Sequence, residues 1–174
     1  MTLLTQNQLI MKISCLNIWL FFFFLGYTMQ LTAQIASPEQ ENMKKEIREI
    51  AGKIFRNLEK MDAEALFQSY SNSSDFLFIT TDGSMAGLQE AKNHHAAWFR
   101  SLSSLKVTTN KDNFRFLPGN IVIYSWLGKF EVTLGSGQQL KNDKYAITFI
   151  FSRTSDQWKV IHQHSSAMPP TQVK

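Results

Sequence analysis

Ile121-Val122-Ile123-Tyr124-Ser125-Trp126-Leu127-Gly128-Lys129-Phe130-Glu131-Val132-Thr133-Leu134 is the stretch on which the fold turns. Successive side chains of a strand point to opposite faces. Val122, Tyr124, Trp126, Phe130, Val132 and Leu134 therefore share one face, interrupted only by Gly128. The other face starts apolar, with Ile121, Ile123 and Leu127, and ends polar, with Lys129, Glu131 and Thr133. The first face belongs to a core or a cavity. The second, half-apolar face calls for a cover. A second copy of the chain is the simplest one, since an exposed apolar patch of that size is unusual on a monomer, and the chain's own tail is the alternative.

Residues 105–117, 142–153 and 158–166 are equally rich in Val, Ile, Thr and aromatics. The segments Leu117-Pro118-Gly119-Asn120, Gly135-Ser136-Gly137 and Thr154-Ser155-Asp156-Gln157 separate these runs. Sequential strands with short turns predict an antiparallel meander. Upstream, Ser37-Pro38-Glu39-Gln40 reads as a helix start, with Ser as N-cap, Pro at N1 and Gln at N3. Apolar residues then recur at steps of three and four from Met43 to Met61, the spacing of an amphipathic helix. Asp62 caps a second helix over 63–70, and Asn72-Ser73-Ser74 ends it. A β-rich run over 76–81 turns at Asp82-Gly83, and a third helix spans about 87–102. Three helices, one early strand and four long strands predict an α+β domain, a curved antiparallel sheet with its helices on one face.

The chain has 174 residues, 44% hydrophobic and 18% charged, which fits one folded domain and excludes a disordered chain. Residues 1–33 read as a signal peptide: Lys12, an apolar run that includes Phe21-Phe22-Phe23-Phe24, then Leu31-Thr32-Ala33 before Gln34. The run is shorter than the roughly 20 residues of a membrane span. Cleavage after Ala33 leaves a domain over 34–174, exported to the periplasm or secreted, with no membrane contact. The single cysteine, Cys15, leaves with the signal, so disulfides, thiolate metal sites and thiol nucleophiles are excluded. The remaining net charge is about +3 with no basic stripe, which argues against nucleic acid as a partner. No phosphate loop, nucleophile elbow or metalloprotease helix is present, and neither a cofactor nor a metal is expected.

Two stretches carry a family resemblance. Met61-Asp62-Ala63-Glu64-Ala65-Leu66-Phe67-Gln68-Ser69-Tyr70 resembles the helix break of the SnoaL-like branch of the nuclear transport factor 2-like superfamily. Trp158-Lys159-Val160-Ile161-His162-Gln163-His164-Ser165-Ser166, followed by Pro169-Pro170, is similar to that family's last strand and to the end of the calcium/calmodulin-dependent kinase II association domain. The resemblance spans most of residues 38–170. It implies a cone-shaped sheet around a long helix, a pocket in the mouth of the cone, and frequent dimers. Members include isomerases, dehydratases, cyclases and hydrolases, and others that only bind or assemble. None of the enzymes' catalytic motifs matches this chain residue by residue.

Seven residues are candidates to line a ligand pocket. His162 and His164 fall on one side of the last strand with Trp158 and Val160. If the Thr154–Gln157 turn sets Arg153 opposite Trp158, Phe149 and Ile147 oppose the two His, and Tyr145 shares their face. The i, i+2 imidazoles could donate and accept protons. His95 sits in the middle of the apolar stripe of the third helix, beside Trp98. It is either a core His with a satisfied N–H or a pocket group. Tyr124 and Trp126 sit at the centre of the strand that opens this section. The expectation is an exported, homodimeric domain binding an unidentified small molecule among these aromatics and imidazoles. One alternative is an isomerase-, dehydratase- or cyclase-like enzyme in which a His or Asp75 moves a proton and Tyr124 or Tyr145 serves an oxyanion. The other is an oligomerisation module.

Overall fold

The structure, a computed structural model, describes residues 37–173. The signal segment expected over 1–33 lies outside the described residues. The element order is α1 (Pro38–Glu59), α2 (Ala63–Phe67), β1 (Leu77–Ile79), β2 (Met85–Ala86), α3 (Leu88–Phe99), β3 (Leu102–Leu117), β4 (Ile121–Leu134), β5 (Gln139–Thr154), β6 (Gln157–Ala167) and β7 (Thr171–Gln172). The strands form one unclosed sheet in the order β2-β1-β6-β5-β4-β3, with β7 paired to β5. The four long strands are an antiparallel meander, as the sequence predicts. The sheet as a whole is mixed, because β1 runs parallel to β6. The short strands β2 and β7 carry too few residues to show a period.

Helix α1 lies on the concave face. Ile47, Ala51, Ile54, Phe55 and Leu58 are its buried stripe. Phe55 packs on Trp126 at 4.7 Å between ring centroids. Polar contacts fix the helix to the sheet along its length. Trp158 Nε1 donates to Glu46 Oε2 at 2.7 Å. Arg48 grips Asp112 with two hydrogen bonds, 2.7 and 3.1 Å, and its guanidinium lies over the Phe114 ring. The Val107 amide donates to Glu59 Oε1 at 2.9 Å. The helix stops at Met61, whose positive φ of 56° breaks the spiral, and Asp62 caps α2 by accepting from the Ala65 amide.

Gly128 is demanded by a close approach. A Cβ there would lie 2.2 Å from the Trp126 ring and 2.3 Å from the Thr108 carbonyl oxygen. The indole lies over this gap in the β4 face, and its Nε1 donates to Thr109 Oγ1 at 2.8 Å. Beyond Gly128 the register shifts, with Asp143 and Lys144 of β5 facing Lys129 alone. Such a bulge bends the strand that carries it. The sheet therefore curls away beyond the end of α1.

Gly128→Ala forces the indole or the β3 backbone to move. It is expected to lower stability by about 1–3 kcal/mol, the usual cost of overpacking. Urea unfolding of the two proteins reads this directly. An unchanged midpoint would show that Trp126 does not lie over Gly128.

Candidate functional site

The curl leaves part of the concave face uncovered by α1. A cavity of about 690 Å³ occupies it. Phe130, Val132 and Leu134 from β4 and Ile147 and Phe149 from β5 form its apolar back wall. Leu58, Leu66 and Phe78 close one side, and α3 contributes His94, His95 and Trp98. The tail over Met168, Pro169 and Pro170 crosses the mouth. It is held by Asn142, whose side-chain amide donates to the Met168 carbonyl, and by β7 on the edge of β5.

Three polar side chains form a continuous chain along the wall. The Tyr70 hydroxyl donates to Gln163 Oε1 at 2.6 Å. Gln163 Nε2 donates to Ser165 Oγ at 3.2 Å. The Tyr145 phenol lines the same cavity wall as Ser165. Gln163 and Ser165 are 5% and 3% exposed, so these bonds are made away from water, where an unpaired group is costly. Burial pushes the phenols of Tyr70 and Tyr145 above their ordinary value, so both stay protonated. The backbone also holds Tyr70 in place, since residues 69–71 flank Val160 of β6 like a short strand.

His95 stands among aromatic rings, edge-on to Phe67 at 5.1 Å and to Phe78 at 5.3 Å. Its Nδ1 is 2.8 Å from the Ala91 carbonyl oxygen. A carbonyl only accepts, so Nδ1 carries the proton and Nε2 keeps its lone pair. Desolvation holds the imidazole below its ordinary pKa, and the neutral ring is the resting form at pH 7. Its N–H is thus satisfied by the backbone, and the ring also lines the cavity.

Of the seven candidates, His95, Trp98 and Tyr145 meet at the cavity. Tyr124 and Trp126 do not. They are 3% and 1% exposed in the solid core beneath α1, which fills that part of the concave face. Tyr124 turns its hydroxyl toward Asp112 at 3.5 Å. His162 and His164 are a second correction. The turn register is as expected, with Arg153 opposite Trp158 and Phe151 opposite Val160. Next, however, Ile150 faces His162, which leaves Ile161 as an extra residue on β6. That bulge reverses the strand's alternation. Gln163 and Ser165 turn inward, and both imidazoles go to the outer face of the sheet. Asp75 is exposed and stands apart from the cavity lining. Among the described residues, no group of three or more His, Cys, Asp or Glu could hold a metal ion.

The sequence reading missed Tyr70, Gln163 and Ser165. The Asp62 cap and the Trp158 pairing were visible, but the bulge that decides between His and Gln has no residue signature of its own.

His95 predicts a pH dependence. Its folded pKa is depressed below the ordinary 6.5, so the stability it contributes is present above that value and is lost as pH falls from there through the folded pKa. The thermal midpoint is expected to drop on going from pH 7.5 to 5.5. His95→Phe should flatten this drop, and His94→Gln, at an exposed position, should not. An undiminished drop in His95→Phe contradicts the buried neutral imidazole.

A SnoaL-like domain family model matches residues 47–170. A nuclear transport factor 2-like superfamily protein from Salmonella enterica superposes with a TM-score of 0.67 at 19% identity, over 76% of this chain and 96% of the other. A hexachlorocyclohexane dehydrochlorinase superposes with a TM-score of 0.68 at 11% identity, over 78% and 91%. A Xanthomonas campestris protein assigned to the calcium/calmodulin-dependent kinase II association domains gives 0.61 at 19%, over 81% and 98%. No curated protein matches the chain. These structural likenesses, all below 25% identity, establish the fold; together with the family match across most of the chain, they show that this protein belongs to the SnoaL-like domain family, on the nuclear transport factor 2-like fold.

Proposed function

We propose that the domain is an exported binder of an apolar small molecule, working as a homodimer. The observation that carries this reading is the cavity itself. Its volume lies within the roughly 300–1,000 Å³ of small-molecule sites, and its apolar walls hold a few buried, hydrogen-bonded polar groups. Catalysis by acid and base would need a titratable pair. His95 has spent Nδ1 on a backbone carbonyl, and Asp82, which lines the same cavity, is held in its own turn by the Thr80 hydroxyl and the Ser84 amide. The binding reading is therefore favoured over the isomerase or dehydratase one.

Export is supported by the signal-like sequence of residues 1–33. Pairing is supported by the outer sheet face, where Ile121, Ile123 and Ile150 are half-buried and Leu127 is 43% exposed. The chain's own tail runs to the cavity mouth, so it does not serve as the cover for that face.

Native mass spectrometry of the protein from its own host tests all three parts. The expected species is a dimer of chains that begin at Gln34, carrying a retained small molecule. Val132→Trp, which fills the cavity, should lose that added mass while keeping the dimer. Monomers of the uncut chain with no added mass would overturn the reading.

A further inference from the structure

The bulge at Ile161 that turns Gln163 inward sets His162 and His164 side by side on the outer face of the sheet. They stand near its middle, with β1 and β2 on one side of their strand and β5, β4 and β3 on the other. Their cross-strand neighbours are Leu77 and Ile79 on β1 and Ile150 and Thr148 on β5, none of them charged. Met85, 67% exposed, lies beyond Ile79, and Ile123 lies beyond Ile150. The charged side chains reached across this part of the face, Arg115 and Lys111, belong to the edge strand β3. The apolar outer patch is therefore centred on two imidazoles.

Among the described residues, neither imidazole has a hydrogen-bond partner, unlike His95 with its committed Nδ1. His162 is half-buried and His164 exposed. Partial burial, and then the neighbouring His164, hold His162 below its ordinary pKa, which keeps its lone pair free at pH 7. Two residues along a strand the side chains are rooted roughly 7 Å apart and point the same way. A zinc ion about 2 Å from each ring nitrogen fits between them. Two ligands are half of the four that a closed zinc site takes. A two-fold pairing of this face sets the groups near its axis against their own copies. Like charges would repel there, whereas neutral imidazoles can share a cation.

We infer that His162 and His164 are half of a transition-metal site, and that a second copy paired on the outer face supplies the other half, so that four imidazoles hold one Zn²⁺ between two chains. This rests on the pairing reading above and adds an ion to it. The site is separate from the concave cavity, on the opposite side of the sheet. Imidazole nitrogen suits zinc, copper and nickel, while magnesium and calcium seek oxygen, and the flanking residues offer no carboxylate to hold them.

Zinc titration followed by sedimentation velocity and native mass spectrometry tests the inference. The protein is taken from its own host without a polyhistidine tag and stripped with a chelator. One Zn²⁺ per two chains is expected. With zinc at 100 times its dissociation constant, the dimer dissociation constant should fall about 100-fold, because the ion binds the dimer and not its parts. Magnesium and calcium should leave it unchanged. His162→Ala and His164→Ala should each lose at least about 100-fold in zinc affinity, the upper end of what outer partners of a metal site cost, and should keep the metal-free dimer. His94→Gln, on the concave side, should keep the ion. Ile123→Arg should separate the chains and lower zinc affinity with them. A dimer that takes no zinc, or takes it equally well in both His variants, overturns the metal site and leaves the pairing standing. One ion per chain, held as tightly in monomeric Ile123→Arg, overturns the sharing of the ion. Monomers at every zinc concentration overturn both the shared site and the pairing.

Discussion

The hydrogen bond from the Tyr70 hydroxyl to Gln163 is the contact on which the candidate site depends. It joins the end of the helical hairpin to the last long strand, 93 residues later. Both side chains are buried, so each would be costly without the other. The bond exists because Ile161 is bulged out of the ladder between β5 and β6. Without that extra residue Gln163 would face outward and an imidazole would take its place inside. One unpaired residue thus determines whether the cavity wall is a neutral amide and hydroxyl chain or a pair of titratable rings.

The second constraint is the length of α1. The helix fills the concave face as far as Phe55 and Leu58, with Trp126 and Tyr124 packed in the core beneath it and Phe149 at the boundary with the cavity. Arg48 and Glu59 tie it to β3 and Glu46 ties it to β6, so it is held where it lies. Past that point the β5 bulge bends the sheet, and the aromatic face of β4 continues without a helix against it. Core and cavity are two halves of the same apolar face. What separates them is where the helix ends and where the strand bends.

Much of this fold was legible. The three-four spacing from Met43 to Met61 marked α1, the Asp62 cap marked the helix break, and the β4 alternation marked the inner face. The turn register at Arg153 and Trp158 followed from one of the turn lengths the sequence allowed; in the structure Ser155 and Asp156 adopt positive φ between the paired Thr154 and Gln157. The site was less legible for a physical reason. A strand pattern gives the face of each residue relative to its neighbours, and a bulge inverts everything after it. The His162 and His164 assignment failed at that step. Tyr124 and Trp126 were placed on the correct face, but no periodicity tells how far along it a helix lies. His95 was readable from the helix stripe alone, since a helix has no register to slip.

The central claim is that ligands enter the concave cavity and avoid the outer face that carries the two imidazoles. Photolabelling with 4-(hydroxymethyl)benzophenone, mapped by peptide mass spectrometry, asks this most directly, because the excited ketone attacks whichever C–H bonds lie beside it. The account predicts adducts on Phe130, Leu134 and Met168, suppressed by excess unlabelled ligand. Adducts concentrated on Ile123, Ile150 and the residues flanking His162 would contradict it.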